Sequence, residues 1–513
     1  MRLFCACFFA TLLMGCLPLQ AQKLEKKKFK AEGLFYTEKF EEARLAYEEI
    51  LSISPDDKLS KYRVEICSLL TIAPDKSPAL LESYARTQGR KDKFYYYWMG
   101  NIYCNQGAYK KAVESCDKFF TVNQYKTREI RNEVLALRKL SELRYYYFKQ
   151  SPQFELNHLS DKINTSHNEF CPVYFDEHKS IMFLSSHKRI DVLSGKEKFH
   201  VFESKKEDTQ WHSPKMIHHL HSYNEQNTSF SLLHGQEKLF VFSDKEGGQV
   251  QSSTYNGHTW SVPKKFEADD VIAEVSSHFF INESENRIIF SAEVKAEEKH
   301  LDLYQSVKDE ATGQWSAPKS ISKVVNSTAD EDFPYLSQDG KTLYFSSKGH
   351  DAIGGYDILK SEWDETTSNW TKPKALGFPV NSLQDDIQFS LNDNLVSGFF
   401  ASNREGTKGG FDIYFVRELN KAFVKGSIKD GEGNSVPGAA LVLMPSDTSV
   451  QIIKVASDNE GKFKLKANAG NKFQVEVWVD AARVHKDSLE IPMQLAPGVS
   501  LSKNFNLDWK KED

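Results

Sequence analysis

"DGKTLYFSSKGHDAIGGYDILKSE", residues 339–362, decides the fold. Asp339-Gly340 is a turn pair, and the residues after it alternate apolar and polar as a half-buried strand does. Leu343 and Phe345 fall on one face, Gly354-Gly355 permits a close approach, and a second alternating strand starts after Tyr356. The unit recurs along the chain. "KSIMFLSS", "KLFVFSD", "NRIIFSAE" and the degenerate "NLVSGFFASN" match its first strand, and "FHVFESK", "QVQSST", "LDLYQSV" and "FDIYFVR" match its second. Four units continue into a tryptophan with a proline three residues on: Trp211/Pro214, Trp260/Pro263, Trp315/Pro318 and Trp370/Pro373.

A four-strand unit at that period hides its apolar faces only against its neighbours, which predicts a β-propeller over 150–418. Five blades are visible, and a sixth too worn to recognise stays open. The fifth unit lacks its tryptophan strand. "FELNHLSDKINT" (154–165) resembles "PKALGFPVNS" of the fourth unit, so an N-terminal strand is expected to complete the last blade and leave no free edge. Recurrence assigns Asp357, its copy Asp412 and the four tryptophans to blade architecture. His350 has no counterpart in the other units and reads as a solvated loop residue.

Either side of this region the pattern changes. Residues 23–149 are helical, with Gly100, Tyr103, Tyr109, Ala112 and Phe119 at tetratricopeptide-type offsets, where small residues let antiparallel helices approach. Ala31, Leu34, Phe40, Ala43, Tyr47 and Pro55 keep the same register. Residues 57–89 read as a degenerate helix pair and 127–148 as a capping helix. Such a stack offers a groove to partner peptides, with Tyr97, Asn101 and Asn105 as the candidate contacts. Residues 421–513 alternate with period two between glycine turns, a β-sandwich of transthyretin or immunoglobulin type. The chain is therefore expected to be multidomain: all-α repeats, all-β propeller, β-sandwich.

"MRLFCACFFATLLMGCLPLQAQK" opens the chain with the plan of a secretory signal peptide, residues 1–21. Cleavage after Ala21 and lipidation at Cys16 are both open, and the apolar run is too short for a spanning helix. Four cysteines remain beyond it, too scattered for a disulfide framework and without a CxxC pair for zinc. A net charge of −5 offers no basic face, so no nucleic-acid partner is expected.

Catalytic and metal-binding patterns are weak. There is no G-x-S-x-G elbow. "HVFE" (200–203) has the letters of a zinc motif, but an extended strand turns His200 and Glu203 to opposite faces. "ADEDF" (329–333) reads as a solvated loop rather than a calcium site, and "IHHLH" (217–221) as a surface strand with His219 and His221 on one face. No catalytic residue, metal or cofactor is expected, and the chain is read as a non-enzyme.

Resemblances add to these readings. The repeated units resemble the PD40, WD40-like blades of periplasmic propellers related to TolB, with "DFPYLSQDGKTLYFSSKGHDAIGGYDI" the nearest copy. "VPGAAL" (436–441) and "SDNEGKFKL" (457–465) resemble the carboxypeptidase regulatory-like domain. Signal, helical repeats, propeller and sandwich in this order resemble the PorE-like periplasmic proteins of the Bacteroidetes type IX secretion apparatus. Those proteins end in an OmpA-like, peptidoglycan-binding domain, whereas this sequence ends at "DWKKED", so direct peptidoglycan binding is not expected. The resemblance implies a periplasmic scaffold at the outer membrane whose partners are envelope proteins, with membrane attachment through a lipid anchor or those partners. A propeller-based glycan or small-molecule sensor is the alternative.

Overall fold

The computed structural model describes residues 19–509 except 72, 74–75, 89–93, 123–127, 176–179, 187–197, 208–209, 221–226, 234–236, 244–248, 267–277, 294–298, 393–395, 447–451 and 493–499. The signal segment through residue 18, with Cys16, lies outside them, as does His221. The chain divides into two compact units, one ending at Lys149 and one running from Gln150 to Asp513.

The first unit contains helices α1 (Leu19–Tyr36), α2 (Phe40–Ile53), α3 (Lys58–Leu70), α4 (Ala79–Gln88), α5 (Tyr95–Asn105), α6 (Tyr109–Val122) and α7 (Arg128–Lys149). Asp57 caps α3 by accepting from the Ser60 amide at 2.8 Å. The apolar faces of these helices converge on Phe35, Tyr47, Ile66, Trp98, Ile102 and Phe119, all at most 1% exposed. Gly100 shows why small residues stand at the helix crossings: a Cβ there would lie 3.1 Å from Leu137 and 3.2 Å from Cys116. The Arg63 guanidinium is buried, stacked 4.0 Å over the Phe35 ring and donating to the Tyr36 hydroxyl at 2.9 Å. None of the described helices is long and apolar enough to cross a membrane.

The second unit is all-β. Five antiparallel sheets follow one another along the chain, and in each the first three strands run up, down and up in sequence order. The first strands of the five sheets are Glu169–Phe175, Asn227–Leu233, Phe279–Ile281, Glu331–Leu336 and Asp386–Leu391. These strands touch in cyclic order, and the fifth returns to the first. The arrangement is propeller-like. Phe154–His158 joins the fifth sheet, pairing antiparallel with Asp412–Glu418 in the register Leu156↔Val416. The ring is thus closed by a strand more than 250 residues away in sequence.

The second strands, Ser180–Ser185 and Ser397–Ser402, are buried at every residue. Each sheet is covered on both faces by its neighbours, which is why these strands read as continuous apolar runs flanked by serines rather than as clean alternation. Trp211, Trp260 and Trp370 are at most 6% exposed, and Trp315 packs against the core beside Phe266. A serine on the third strand pins the residue after each tryptophan: Ser204, Ser253, Ser306 and Ser361 donate to the carbonyls of His212, Ser261, Ser316 and Thr371 at 2.6–2.7 Å.

Two further sheets complete the unit. Lys421–Lys429 pairs with Lys462–Asn468 and, in parallel, with Ser500–Ser502 and Phe505–Asn506. Ala440–Pro445 lies between Ile453–Ala456 and Lys472–Val479, which in turn pairs with Ala482–Glu490. Both sheets turn alternate residues, among them Val424, Leu443, Phe463 and Val475, into one shared core.

Two local expectations are corrected. His218–Leu220 forms a 3-10 turn, not part of a surface strand. "ADEDF" is not a solvated loop: Glu331 and Asp332 begin a strand and are 0% and 3% exposed.

Candidate binding cavity

The connections between sheets repeat a six-residue pattern: "NTSHNE" from Asn164, "NSTADE" from Asn326 and "NSLQDD" from Asn381. The asparagine pairs like a strand residue with the preceding sheet. Asn164 bonds both backbone groups of Ile413, Asn326 those of Leu303 and Asn381 those of Ile358, all within 2.8–3.1 Å. The fifth residue then accepts from the same strand's approach: Asn168 from the Phe411 amide, Asp330 from Leu301 and Asp385 from Tyr356.

The sixth residue is a buried acid. Glu169 accepts from Thr165 and Ser185, Glu331 from Ser327 and Ser347, and Asp386 from the Ser382 amide and Arg404. Burial raises all three carboxyls above their ordinary range, Glu169 to about 7. The serines and aspartates of the repeat therefore hold sheet to sheet. Asp357 accepts from the Ile353 amide at 2.8 Å, and Asp412 from the Lys408 amide at 2.8 Å and beside His158 at 2.7 Å. His350 is not solvated: its Nε2 lies 2.6 Å from the Val325 carbonyl and 3.7 Å from Glu331, with its side chain 11% exposed.

Immediately after each acid the first strand bulges. Pairing breaks between Phe170 and Val173, Asp332 and Tyr335, and Ile387 and Ser390. The extra residue takes a left-handed conformation: Cys171 (φ 53°), Phe333 (φ 53°) and Gln388 (φ 58°). These bulges re-aim their residues to the axis of the ring, where a cavity of about 140 Å³ is lined by the first strands of all five sheets. Its walls include Tyr174, Phe230, Phe280, Phe333 and Tyr335, with Gln388, His278, Ser229 and Ser231 as polar groups.

The polar groups are tied together between neighbouring sheets. Gln388 accepts from the Cys171 amide and donates to its sulfur, both at 2.6 Å, and Ser390 donates to the Pro172 carbonyl at 2.6 Å. His278 Nδ1 lies 3.0 Å from both Asp332 oxygens, and Ser291 donates to the same carboxylate at 2.6 Å. The His278 ring sits 3.9 Å from that of Phe333. Burial pushes the Cys171 thiol up and the Tyr174 phenol up to about 12, so both are neutral at ordinary pH. Aromatic faces with an amide and an imidazole suit recognition of a ring or an apolar side chain carrying hydrogen-bonding groups.

The sequence reading missed this cavity, although "EFCPVY" and "EDFPY" carry the acid and the proline three residues on at matching places. Its helical candidates are dispersed differently. Tyr97 is 8% exposed and packs 4.8 Å from Trp98, so it belongs to the interior and not to a groove. Asn101 is half-buried, donating to the Tyr97 carbonyl at 2.9 Å, and Asn105 is exposed at the end of α5. His200 and Glu203 lie on one strand, and three-residue spacing turns them to opposite faces. Among the described residues no group of three potential metal ligands comes together.

No protein-family model matches the chain, and no curated protein does. Among solved structures, one described as a glycoside hydrolase matches 53% of this chain and 94% of its own, at 8% identity and TM-score 0.37. The catalytic domain of the Coprinopsis cinerea GH62 α-L-arabinofuranosidase matches 53% and 99%, at 9% identity and TM-score 0.35. A protein assigned as TolB from Agrobacterium tumefaciens matches 61% and 97%, at 10% identity and TM-score 0.31. The expectation of a non-enzyme is withdrawn, because glycoside hydrolases are among the solved structures that match.

Proposed function

We propose that the protein is a periplasmic scaffold of the PorE-like kind, which gathers envelope proteins at the outer membrane in type IX secretion or envelope assembly. In this reading its parts are tetratricopeptide-like repeats, a five-bladed propeller and a carboxypeptidase regulatory-like sandwich, exported by the N-terminal signal. The carrying observation is the surface of the helical unit. Eight of the twelve large apolar side chains exposed among the described residues belong to it, including Phe29, Leu45, Leu59, Leu80 and Tyr146 at 48–62% exposure. Apolar surface concentrated in one unit is what protein partners cover. Crosslinked affinity purification from the envelope fraction tests the reading. Wild-type protein should retain outer-membrane partners that the Leu45→Glu/Leu80→Glu variant loses; equal recovery by both, or none above a leader-only control, defeats it.

The aromatic cavity favours a second reading, a sensor of glycans or small molecules. A ligand of that class should raise the melting temperature of the wild type and not of a Gln388→Ala variant.

A further inference from the structure

A second pocket, of about 220 Å³, lies where the fourth and fifth sheets of the ring meet the C-terminal sheets. Its apolar wall includes Tyr344, Phe389, Leu391 and Val416, and three lysines, Lys360, Lys374 and Lys466, line it with Glu418. Lys360 and Lys374 are directly opposite each other in the ladder between Asp357–Asp364 and Lys374–Ala375. Like charges in that position destabilise a sheet unless an anion sits between them.

The local carboxylates leave one charge over. Lys360 reaches Glu362 at 3.2 Å, and Lys466 pairs with Glu418 across the seam. Lys374 is exposed and has no ion-pair partner among the described residues. Burial pulls the Lys466 ammonium below its ordinary pKa against the pull of Glu418, with smaller contributions from Lys421 and Lys360.

We propose that this pocket binds the C-terminal carboxylate of a partner peptide ending in an apolar residue. One unbalanced ammonium fits a monoanion, while Glu418 in the wall opposes a dianion such as phosphate. Separate lysines act as point charges and lack the fork that arginine offers to phosphate. The volume is below the roughly 300–1,000 Å³ of small-molecule sites, so it holds a chain end with one side chain rather than a whole cofactor. Capture of a terminal carboxylate is an established way to read a peptide.

The test uses the full chain and a fluorescein-labelled short peptide ending in phenylalanine, as free acid and as amide, in an anisotropy titration. The free acid should bind saturably, and the amide about tenfold or more weaker, the loss of one charge-assisted contact. Lys374→Glu should weaken the acid to a similar degree, while Lys319→Glu, exposed at the matching place in the third sheet, should not. Lys374 is exposed, so its replacement leaves the packed seam intact. No saturable binding, equal binding of acid and amide, unchanged binding by Lys374→Glu, or displacement by equimolar acetate would each overturn the proposal. It goes beyond the helical-surface reading, since none of its variants touches that unit and the envelope purification reports separately.

Discussion

Asn381 stands in for a β-strand: its Oδ1 accepts from the Ile358 amide at 2.8 Å and its Nδ2 donates to the Ile358 carbonyl at 3.1 Å. One side chain thereby satisfies both backbone groups of a buried residue in the preceding sheet. Replacing Asn381 by alanine orphans both, at a cost of about 2–4 kcal/mol. Urea unfolding of the all-β unit should show the loss, and Asn164→Ala should match it through Ile413. A change within a few tenths of a kcal/mol would mean that water replaces the side chain.

Glycine tolerance should split by position. A Cβ at Gly409 would lie 1.7 Å from the His167 carbonyl, backbone against backbone, whereas at Gly33 it meets nothing within 4 Å. Gly409→Ala is expected to destabilise its unit by more than roughly 3 kcal/mol. Gly33→Ala, inside α1, should stabilise the helical unit by about 0.5–1 kcal/mol. Thermal unfolding followed by circular dichroism distinguishes the two.

The buried carboxyl of Glu169 makes stability depend on pH. Its folded pKa, raised by burial to about 7, exceeds the unfolded value of about 4.3. Between those values the folded state keeps a proton that the unfolded chain has lost. Stability is therefore full below the unfolded pKa and falls as pH rises through 7, by at most roughly 4 kcal/mol. Denaturant titrations across this range should show the decline, and Glu169→Gln should flatten it. The slopes of Glu331 and Asp386, shifted the same way, persist in that variant.

Cys67, Cys104, Cys116 and Cys171 are free and buried. Burial pushes the Cys67 and Cys116 thiols up to about 12 and Cys171 up as well. Iodoacetamide at about pH 8 should leave all of them unmodified in the native protein and alkylate them in denaturant, read by peptide mass spectrometry. Native modification of Cys171 would show that the central cavity opens.

Much of the strand pattern was legible. Leu343, Phe345 and their copies stand in short apolar runs because each second strand is buried between sheets, and the tryptophan spacing marks the unit length. The partner of Phe154–His158 was legible from a resemblance between distant segments. The acids were misread, because a charged run such as "ADEDF" is usually solvated, and nothing local reveals that Ser327, Ser347 and His278 converge on it. His350 was misread for the same reason: its carbonyl partner belongs to Val325 in another connection.

The sequence by itself determined the elements, their order and the repeating unit, because apolar periodicity and turn residues act within a few neighbours. Only the tertiary structure decided the sites. The cavity between Cys171 and Gln388 and the lysine pocket at Lys374 and Lys466 join residues between 90 and 220 positions apart. Burial, pKa and charge balance at such places depend on what the chain brings together in space, and side chains that meet across sheets leave no period in the sequence to read.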